Sequence, residues 1–393
     1  MRVLLISRAM VAASYRSRLP ELARCGIHLT VVAPDRWENQ KFEPGLADGY
    51  ELVVKHVAIG WQALGSLAHH TFYFRDISRV IRRQDWDLIH IDDEPYNFAT
   101  FHALAAYSSA KAKIVFSTWQ NMVKRYPPPF NLFERRTFDR AAGAIPGNEE
   151  ALAVLRRKGF SGPATVIPHH GVDVNLFSRQ DASDLRGRLG LQDRFLIGYV
   201  GRIVRDKGVH ALVSALAQLP PDSALAIIGS GSARPHLEQM AVDLGVAVRI
   251  RWIPWVATSE LPEYMNAMDV LVLPSITTRH WKEQLGRVLI EAMACETCVV
   301  GSDSGEIPNV IGEAGLVFHE GNDRELADCL RRLMNDTTLR ESLGRCGRER
   351  VLNHFSDTRV ARATAAFYRL ICGSESNADT DGTLQSECQP LSS

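Results

Sequence analysis

Two acidic residues eight positions apart, Glu283 and Glu291, flank a glycine in the stretch Trp281-Lys-Glu283-Gln-Leu-Gly286-Arg287-Val-Leu-Ile-Glu291-Ala-Met-Ala294. Leu285, Val288, Leu289, Ala292 and Met293 recur at helical spacing, which predicts a helix starting near Gly286. Glu283 then lies in the loop before that helix, and Glu291 lies inside it. A glycine at the helix mouth lets a ligand come close to the backbone. The amides of Gly286, Arg287 and Val288 would form an anion site at the positive end of the helix, suited to a diphosphate. The plainer readings are a dipole-stabilising charge for Glu283 and a solvated helix face for Glu291.

A second stretch, Gly198-Tyr-Val-Gly201-Arg202-Ile-Val-Arg205-Asp-Lys207-Gly208, supplies cations. An apolar strand runs into Gly201, and Arg202 and Lys207 precede a helix opening at Gly208. Arginine grips phosphate oxygens with a planar fork, whereas lysine offers a compact point charge. A diphosphate gathers negative charge as its bond to a sugar breaks, so cations held there favour the transition state over the ground state. The plainer reading is surface charge in a strand–helix loop.

The elements that must position these groups follow from short apolar runs alternating with amphipathic segments, the pattern of parallel α/β sheets. In the first half the expected strands are Val3–Ser7, Ile27–Ala33, Leu88–Ile91, Ile114–Ser117, Gly143–Ile145 and Thr165–Ile167, with helices at Ser14–Arg24, Ser66–Arg82 and Asn97–Ala110. The second half repeats the alternation, with strands at Phe195–Val200, Ala224–Ile228, Val248–Trp252, Asp269–Leu273, Thr297–Val300 and Gly315–Phe318. Its expected helices are Gly208–Leu219, Glu325–Met334 and Leu339–Asn353. The reading is α/β, as two Rossmann-like doubly wound domains facing across a cleft, with ligands beyond the carboxyl ends of the strands. The expected boundaries are 1–175 for the first domain, 176–194 for a linker and 195–354 for the second domain. A C-terminal helix over 355–372 could cross back to the first domain, and 373–393 reads as a disordered tail.

Composition narrows the function classes. The 393 residues carry 45 basic and 45 acidic side chains, so global charge gives no support to a nucleic-acid partner. Seven scattered cysteines read as reduced thiols of a cytoplasmic protein. Cys295 and Cys298 have C-x-x-C spacing but no second pair or nearby histidine for zinc. The N-terminal apolar run is too short for a signal peptide, and none reaches the ~18 residues of a membrane span. Any membrane contact would be peripheral.

Taken together, the two motifs resemble the large family of retaining glycosyltransferases numbered four in the sugar-transferase classification, whose fold is called GT-B. The resemblance runs from Met1 to about Gly373. Its most specific part is E-x7-E, Glu283 and Glu291, followed by Ala-Met-Ala and Val300-Gly-Ser-Asp-Ser-Gly305-Glu306-Ile-Pro308. Further matches are Val166-Ile-Pro-His-His-Gly-Val-Asp173, Ile228-Gly-Ser-Gly231 and Met268-Asp-Val-Leu-Val-Leu-Pro-Ser275.

The resemblance implies that the second domain binds a nucleotide diphosphate sugar as co-substrate and the first an acceptor, with no cofactor and no metal. Arg202 and Lys207, beside Gly201, would hold the diphosphate, and Glu291 the ribose. Glu283 would contact the transferred sugar, next to the backbone of Gly286, Arg287 and Val288. The base would lie by Trp252 and Ile253. Glu283, Arg202 and Lys207 are thereby the expected catalytic set. The implied acceptor is a glycan, a lipid-linked sugar or a small molecule, within polysaccharide or glycoconjugate assembly.

The first half departs from the family. Relatives often carry two glycines after the first strand, where this chain has Ser7-Arg8-Ala9-Met10. Where many relatives place a histidine facing the sugar, the match puts Asp92, two positions after His90. His90 reads as a core or strand-end residue. Asp92 and Asp93 either bind an acceptor hydroxyl or cap the next helix. Trp119 and Asn121 either stack on and bond an acceptor sugar or belong to a packed loop. Lys124, Arg125, Arg135, Arg136 and Arg140, interleaved with Tyr126, Phe130, Phe133 and Phe138, read as an ordinary loop and amphipathic helix, or as a basic, aromatic surface that holds a polyprenyl-phosphate acceptor near the inner face of a membrane, in peripheral contact with it.

Two other functions fit the pattern: a sugar-nucleotide 2-epimerase of the same fold, and a nucleotide-sugar-binding module without catalysis. Gly229-Ser-Gly231 begins a dinucleotide fingerprint, but Arg234 stands where its third glycine belongs.

Overall fold

The computed structural model describes residues 1–373, apart from Asn39, Leu46 and 108–110. The expected tail thus lies outside the described residues, except for Gly373. The chain forms two compact units: Met1–Gly171 together with the helix Asp357–Cys372, and Val172–Ser356.

The first unit is built on a six-stranded parallel sheet. In chain order its strands are Arg2–Ser7, His28–Pro34, Tyr50–Lys55, Leu88–Asp92, Lys113–Thr118 and Gly143–Pro146. Across the sheet they lie third, second, first, fourth, fifth, sixth. Val3, Leu4, Leu5 and Ile6 are all buried because helices cover both faces of a parallel sheet, which removes the usual polar alternation. The helix Asp357–Cys372 contributes Val360, Ala361, Ala365, Phe367 and Tyr368 to this core, against Val3, Leu5, Val115 and Ile145.

Several expected elements differ. Thr165–Ile167 is not a strand: the Thr165 and Ile167 amides bond to Ala144 and Pro146 at the sheet edge without continuing the ladder. Ser66–Arg82 is not one helix. It divides into a 3-10 segment, the strand Phe72–Phe74 paired with Val57–Ile59, and the short helix Ile77–Ile81. The helix expected at Ser14–Arg24 starts at Leu19, and that expected at Asn97–Ala110 runs over Phe98–Ala106, with 108–110 outside the described residues.

The second unit carries its own six-stranded parallel sheet: Phe195–Val200, Ser223–Ile228, Ile250–Ile253, Val270–Leu273, Cys298–Ser302 and Gly315–Phe318. Its strands lie in the same order across the sheet as those of the first unit. The stretch 176–194 is not a bare linker, since it holds the helix Ser183–Leu189 and sends Phe177, Leu185 and Leu191 into this unit's core. In each sheet the winding reverses between the first and fourth strands, which opens a crevice beyond their carboxyl ends where α/β sheets bind ligands. One reversal lies between Ser7 and Asp92, which are register partners. The other lies between Phe195–Val200 and Val270–Leu273.

Candidate active site

In the second unit, the crevice is lined by the loops after those two strands. The sheet's bonding continues past its strand ends: Gly201 N–H donates to Ile228 O at 3.0 Å and Ile203 N–H to Ser230 O at 2.8 Å. The buried Tyr199 hydroxyl donates to Arg202 O at 2.7 Å, which fixes the turn from which the exposed Arg202 side chain leaves. A 3-10 turn, Arg205–Lys207, then leads into the helix Val209–Ala217. Ile276 N–H donates to Asp206 O at 2.8 Å, lacing this turn to the loop after the fourth strand.

That lacing brings Lys207 and Glu283 together. The Lys207 ammonium lies 2.6 Å from Glu283 Oε2, and the Ser275 hydroxyl donates to the same oxygen at 2.8 Å. Lys207 also sits 4.6 Å from the centre of the Trp281 ring, a cation–π contact. The backbone of Glu283 is clamped as well. Glu306 N–H donates to Glu283 O at 3.1 Å, and Gly305, at φ +56°, lies so close that a Cβ there would meet Glu283 O at 2.1 Å. Only glycine adopts that conformation in that space.

The helix after this loop is Arg287–Ala294, entered through Gly286 at φ +71° with no side-chain cap among the described residues. Glu291, buried within it, pairs with Arg287 at 2.7 Å across one turn. Burial pushes the Glu291 carboxyl above its usual value, against the pull of Arg287. Trp252 and Ile253 close the third strand, and the Arg234 guanidinium lies 5.3 Å from the Trp252 ring. Ile253 O accepts from Gly229 N–H at 3.0 Å.

The first unit's crevice is also built from polar groups, but it is packed differently. Asp92 is buried, accepts the Ser7 hydroxyl at 2.8 Å and lies 3.7 Å from Arg18. Burial alone would raise its pKa. The Arg18 charge and the neighbouring histidines, with the Ser7 bond, outweigh that and hold the carboxyl well below the usual range. Arg8 stands where the family's glycines are missing, 5.0 Å from the Trp37 ring, 5.4 Å from the Phe72 ring and 3.6 Å from Asp93. His90 is a core residue: its two ring nitrogens bond Tyr368 and Ser117 at 2.7 and 2.8 Å, and burial lowers its pKa to about 3.

Trp119 meets the His169 ring edge-on at 4.0 Å, and Asn121 reaches Glu150 at 3.3 Å. The backbone of Trp119 is held by Glu94, whose carboxyl accepts the Trp119 backbone N–H at 2.7 Å and the Thr118 hydroxyl at 2.8 Å. Burial lifts the Glu94 carboxyl to about 7. His169 donates from Nε2 to Ile145 O at 2.9 Å, while its buried Nδ1 makes no hydrogen bond among the described residues.

Thus Lys207 and Glu283 touch, with Arg202 and Gly286–Glu291 on adjoining loop and helix, while Asp92, Trp119 and Asn121 belong to the first unit. Ser275, Trp281, Gly305, Glu94 and His169 were given no role by sequence reasoning. Ser275, Trp281, Gly305 and His169 stand inside quoted motifs, and the position of Ser275 just past the strand Val270–Leu273 was the available signal for it.

Comparison with known proteins agrees with this division. Residues 18–176 match the description "Glycosyltransferase Family 4" and residues 181–350 match "Glycosyl transferases group 1". The chain is 35% identical over 240 residues to alpha-maltose-1-phosphate synthase of Mycolicibacterium smegmatis, covering 56% of this chain and 60% of that protein. It is 32% identical over 183 residues to the capsular polysaccharide biosynthesis glycosyltransferase CapM of Staphylococcus aureus, covering 45% of this chain and 47% of that protein. The chain therefore spans about half to three-fifths of the length of these curated relatives. Among solved structures, it is similar to sucrose-phosphate synthase from Thermosynechococcus elongatus, with a TM-score of 0.76 at 22% identity, covering 95% of this chain and 100% of that one. It is also similar to Anabaena HepE in complex with UDP and glucose, with a TM-score of 0.70 at 21% identity, covering 93% and 99%. With one family description fitted to each half, the protein belongs to glycosyltransferase family four, and its two parallel α/β units are of the GT-B type.

Proposed function

We propose that the protein is a retaining glycosyltransferase that moves a hexosyl group from a nucleotide diphosphate sugar to an acceptor hydroxyl. The observation that carries this reading is the Lys207–Glu283 contact at the crevice of the second sheet, directly before a helix entered through Gly286. One crevice then offers cations and helix amides for a diphosphate and a carboxylate for sugar hydroxyls. In the reaction, the bond between the anomeric carbon and the phosphate oxygen breaks and its electron pair stays with the diphosphate. The acceptor oxygen bonds to the same face of the anomeric carbon, and the acceptor proton passes to the departing phosphate.

Arg202 and Lys207 are the groups that meet the charge growing on the leaving diphosphate, so no metal is required. Glu283 orients the sugar, Glu291 takes the ribose hydroxyls and Trp252 with Ile253 flanks the base. Gly201 and the backbone of Gly286, Arg287 and Val288 let the diphosphate come close. Acceptor recognition is assigned to Asp92, Trp119 and Asn121 on the first unit, for a glycan, lipid-linked or small-molecule acceptor in polysaccharide or glycoconjugate assembly. The free cysteines among the described residues fit a reducing, cytoplasmic setting.

The test is a thermal-shift screen against UDP-, GDP-, ADP- and dTDP-sugars, followed by turnover of the stabilising donor with and without sugar acceptors. Acceptor-dependent release of nucleoside diphosphate with an α-configured product from an α-configured donor is expected. Epimerised sugar without any acceptor would establish the isomerase instead, and stabilisation without turnover would establish a binding module.

A further inference from the structure

Two groups of different kind meet the Lys207 ammonium. One is the Glu283 carboxylate at 2.6 Å, and the other is the Trp281 ring, whose centre lies 4.6 Å away. Only 16% of the lysine side chain is exposed. A cation shielded from water is drawn to a ring face more strongly than one at an open surface. Each partner of the ring contact has its own support. The Lys207 turn is laced to the loop after Val270–Leu273 by the Ile276–Asp206 bond. Gly208, at φ +64°, fits there so tightly that a Cβ would meet Pro274 O at 1.8 Å. Trp281 is set from further along the same loop: Thr278 N–H donates to Trp281 O at 2.7 Å, and Trp281 N–H donates to the Thr278 hydroxyl oxygen at 3.1 Å. The Thr277 and Ser304 hydroxyls share a hydrogen bond at 3.0 Å, which ties the loop to the turn after Cys298–Ser302. None of these bonds to the loop is made by the Lys207 side chain, so ring and ammonium are brought together by the backbones that carry them.

The two partners of the lysine answer differently to a diphosphate. Carboxylate and diphosphate carry the same sign of charge and compete for one ammonium. The indole has no net charge, only a negative ring face, and need not give the cation up when a phosphate takes its other side. A lysine without such a rest would have several rotamers to lose before it could meet the leaving group. We propose that Trp281 is a positioning residue: its ring face keeps the Lys207 ammonium in the crevice while the lysine passes from Glu283 to the diphosphate, and it acts on the reaction only through Lys207. The inference rests on the transferase reading, in which Lys207 meets the charge growing on the diphosphate. It adds the group that holds the lysine in place for that task.

The experiment is a double-mutant cycle on the full chain, using whichever of the UDP-, GDP-, ADP- and dTDP-sugars the parent turns over fastest. The variants are Trp281→Phe, Trp281→Leu, Lys207→Ala and Lys207→Ala/Trp281→Leu. Trp281→Phe, which keeps a weaker ring, lowers kcat about threefold, and Trp281→Leu, which keeps only apolar bulk, lowers it about tenfold. The donor KM stays within about twofold of the parent's, because the loss falls on the charge that grows in the transition state. With Lys207→Ala already in place, Trp281→Leu brings no further loss of kcat. A tryptophan that merely packs the loop would lower kcat by the same factor in both backgrounds, and that result would overturn the proposal. Leucine serving as well as the indole beside an intact Lys207 would overturn it too. If Trp281→Leu melts below the assay temperature, Trp281→Phe completes the cycle with Lys207→Ala. A parent that turns over none of the donors would sink the transferase reading and this inference together, whereas an active parent with independent losses sinks the inference alone.

Discussion

Lys207 and Glu283 form an ion pair at the crevice of the second sheet: 2.6 Å separates the lysine ammonium from the carboxylate that we propose orients the sugar. Under the proposed function, a diphosphate entering this crevice competes with that carboxylate for the lysine, which leaves the carboxylate to the sugar hydroxyls. The proposed function thereby gives donor phosphate and donor sugar to the two halves of one ion pair.

That exchange predicts opposite effects of Glu283→Gln on binding and on turnover. Nucleoside diphosphate without sugar should bind about fivefold tighter, since the ion pair no longer competes, a gain of about 1 kcal/mol. Turnover should fall by about a hundredfold or more. Calorimetric titration alongside kcat decides it. Weaker nucleoside diphosphate binding would show that the pair does not restrain the lysine.

Lys207→Ala should lower kcat by about two orders of magnitude, the loss expected when a cation facing a growing negative charge is removed. Steady-state kinetics with saturating donor is the measurement. Unchanged kcat would remove Lys207 from the mechanism.

Ser275→Ala deletes the second bond to Glu283 Oε2 while leaving a small side chain in a fully buried position. We expect a roughly tenfold loss of kcat with little change in KM, since about 1 kcal/mol or slightly more is at stake in orienting the carboxylate. Ser275→Thr, if it folds, should recover part of the loss. A kcat equal to the parent's would mean that Lys207 and the backbone clamp already fix Glu283.

Glu94 should leave a signature in the pH dependence of stability. Its folded value, about 7, stands above the ordinary 4.5. Between those values the folded chain holds a proton that the unfolded chain has released, so this group's contribution falls as pH rises through that window. Glu94→Gln should therefore match the parent near pH 4.5 and exceed it by about 3 kcal/mol near pH 8. Urea unfolding at the two pH values measures the difference. A constant difference would show that the carboxyl titrates normally.

Gly305→Ala should harm both stability and turnover, because its Cβ has to occupy space held by Glu283 O and the backbone has a positive φ. A melting temperature several degrees lower, together with a kcat loss at temperatures where the variant stays folded, is expected. A variant with normal kcat would show that the Glu283 loop tolerates displacement.

The legible part of the chain was its parallel strands, since continuous runs such as Phe195–Val200 leave little else to do with four or more apolar residues in a row. Arg202, Lys207, Glu283 and Glu291 were legible as residue types suited to an anion and a sugar. Their contacts were not. The bond between Lys207 and Glu283 spans 76 positions and depends on strand order, as does the clamp of Gly305 on Glu283. Ser66–Arg82 misled because Phe72-Tyr-Phe74 fits a helical apolar stripe as well as a hairpin strand, and only pairing with Val57–Ile59 decides between them. Thr165–Ile167 has the composition of a strand, but its bonds to Ala144 and Pro146 reach only the sheet's margin.

The helix Asp357–Cys372 gives the chain an asymmetry in how it can be cut. Val172–Ser356 is a single uninterrupted length of chain. The other unit is made of two lengths, and a stop codon after Ser356 would strip Phe367 and Tyr368 from beneath Gly143 and Ile145. A nascent chain cannot finish that unit until its last helix has left the ribosome, so the segment made first is the one completed last.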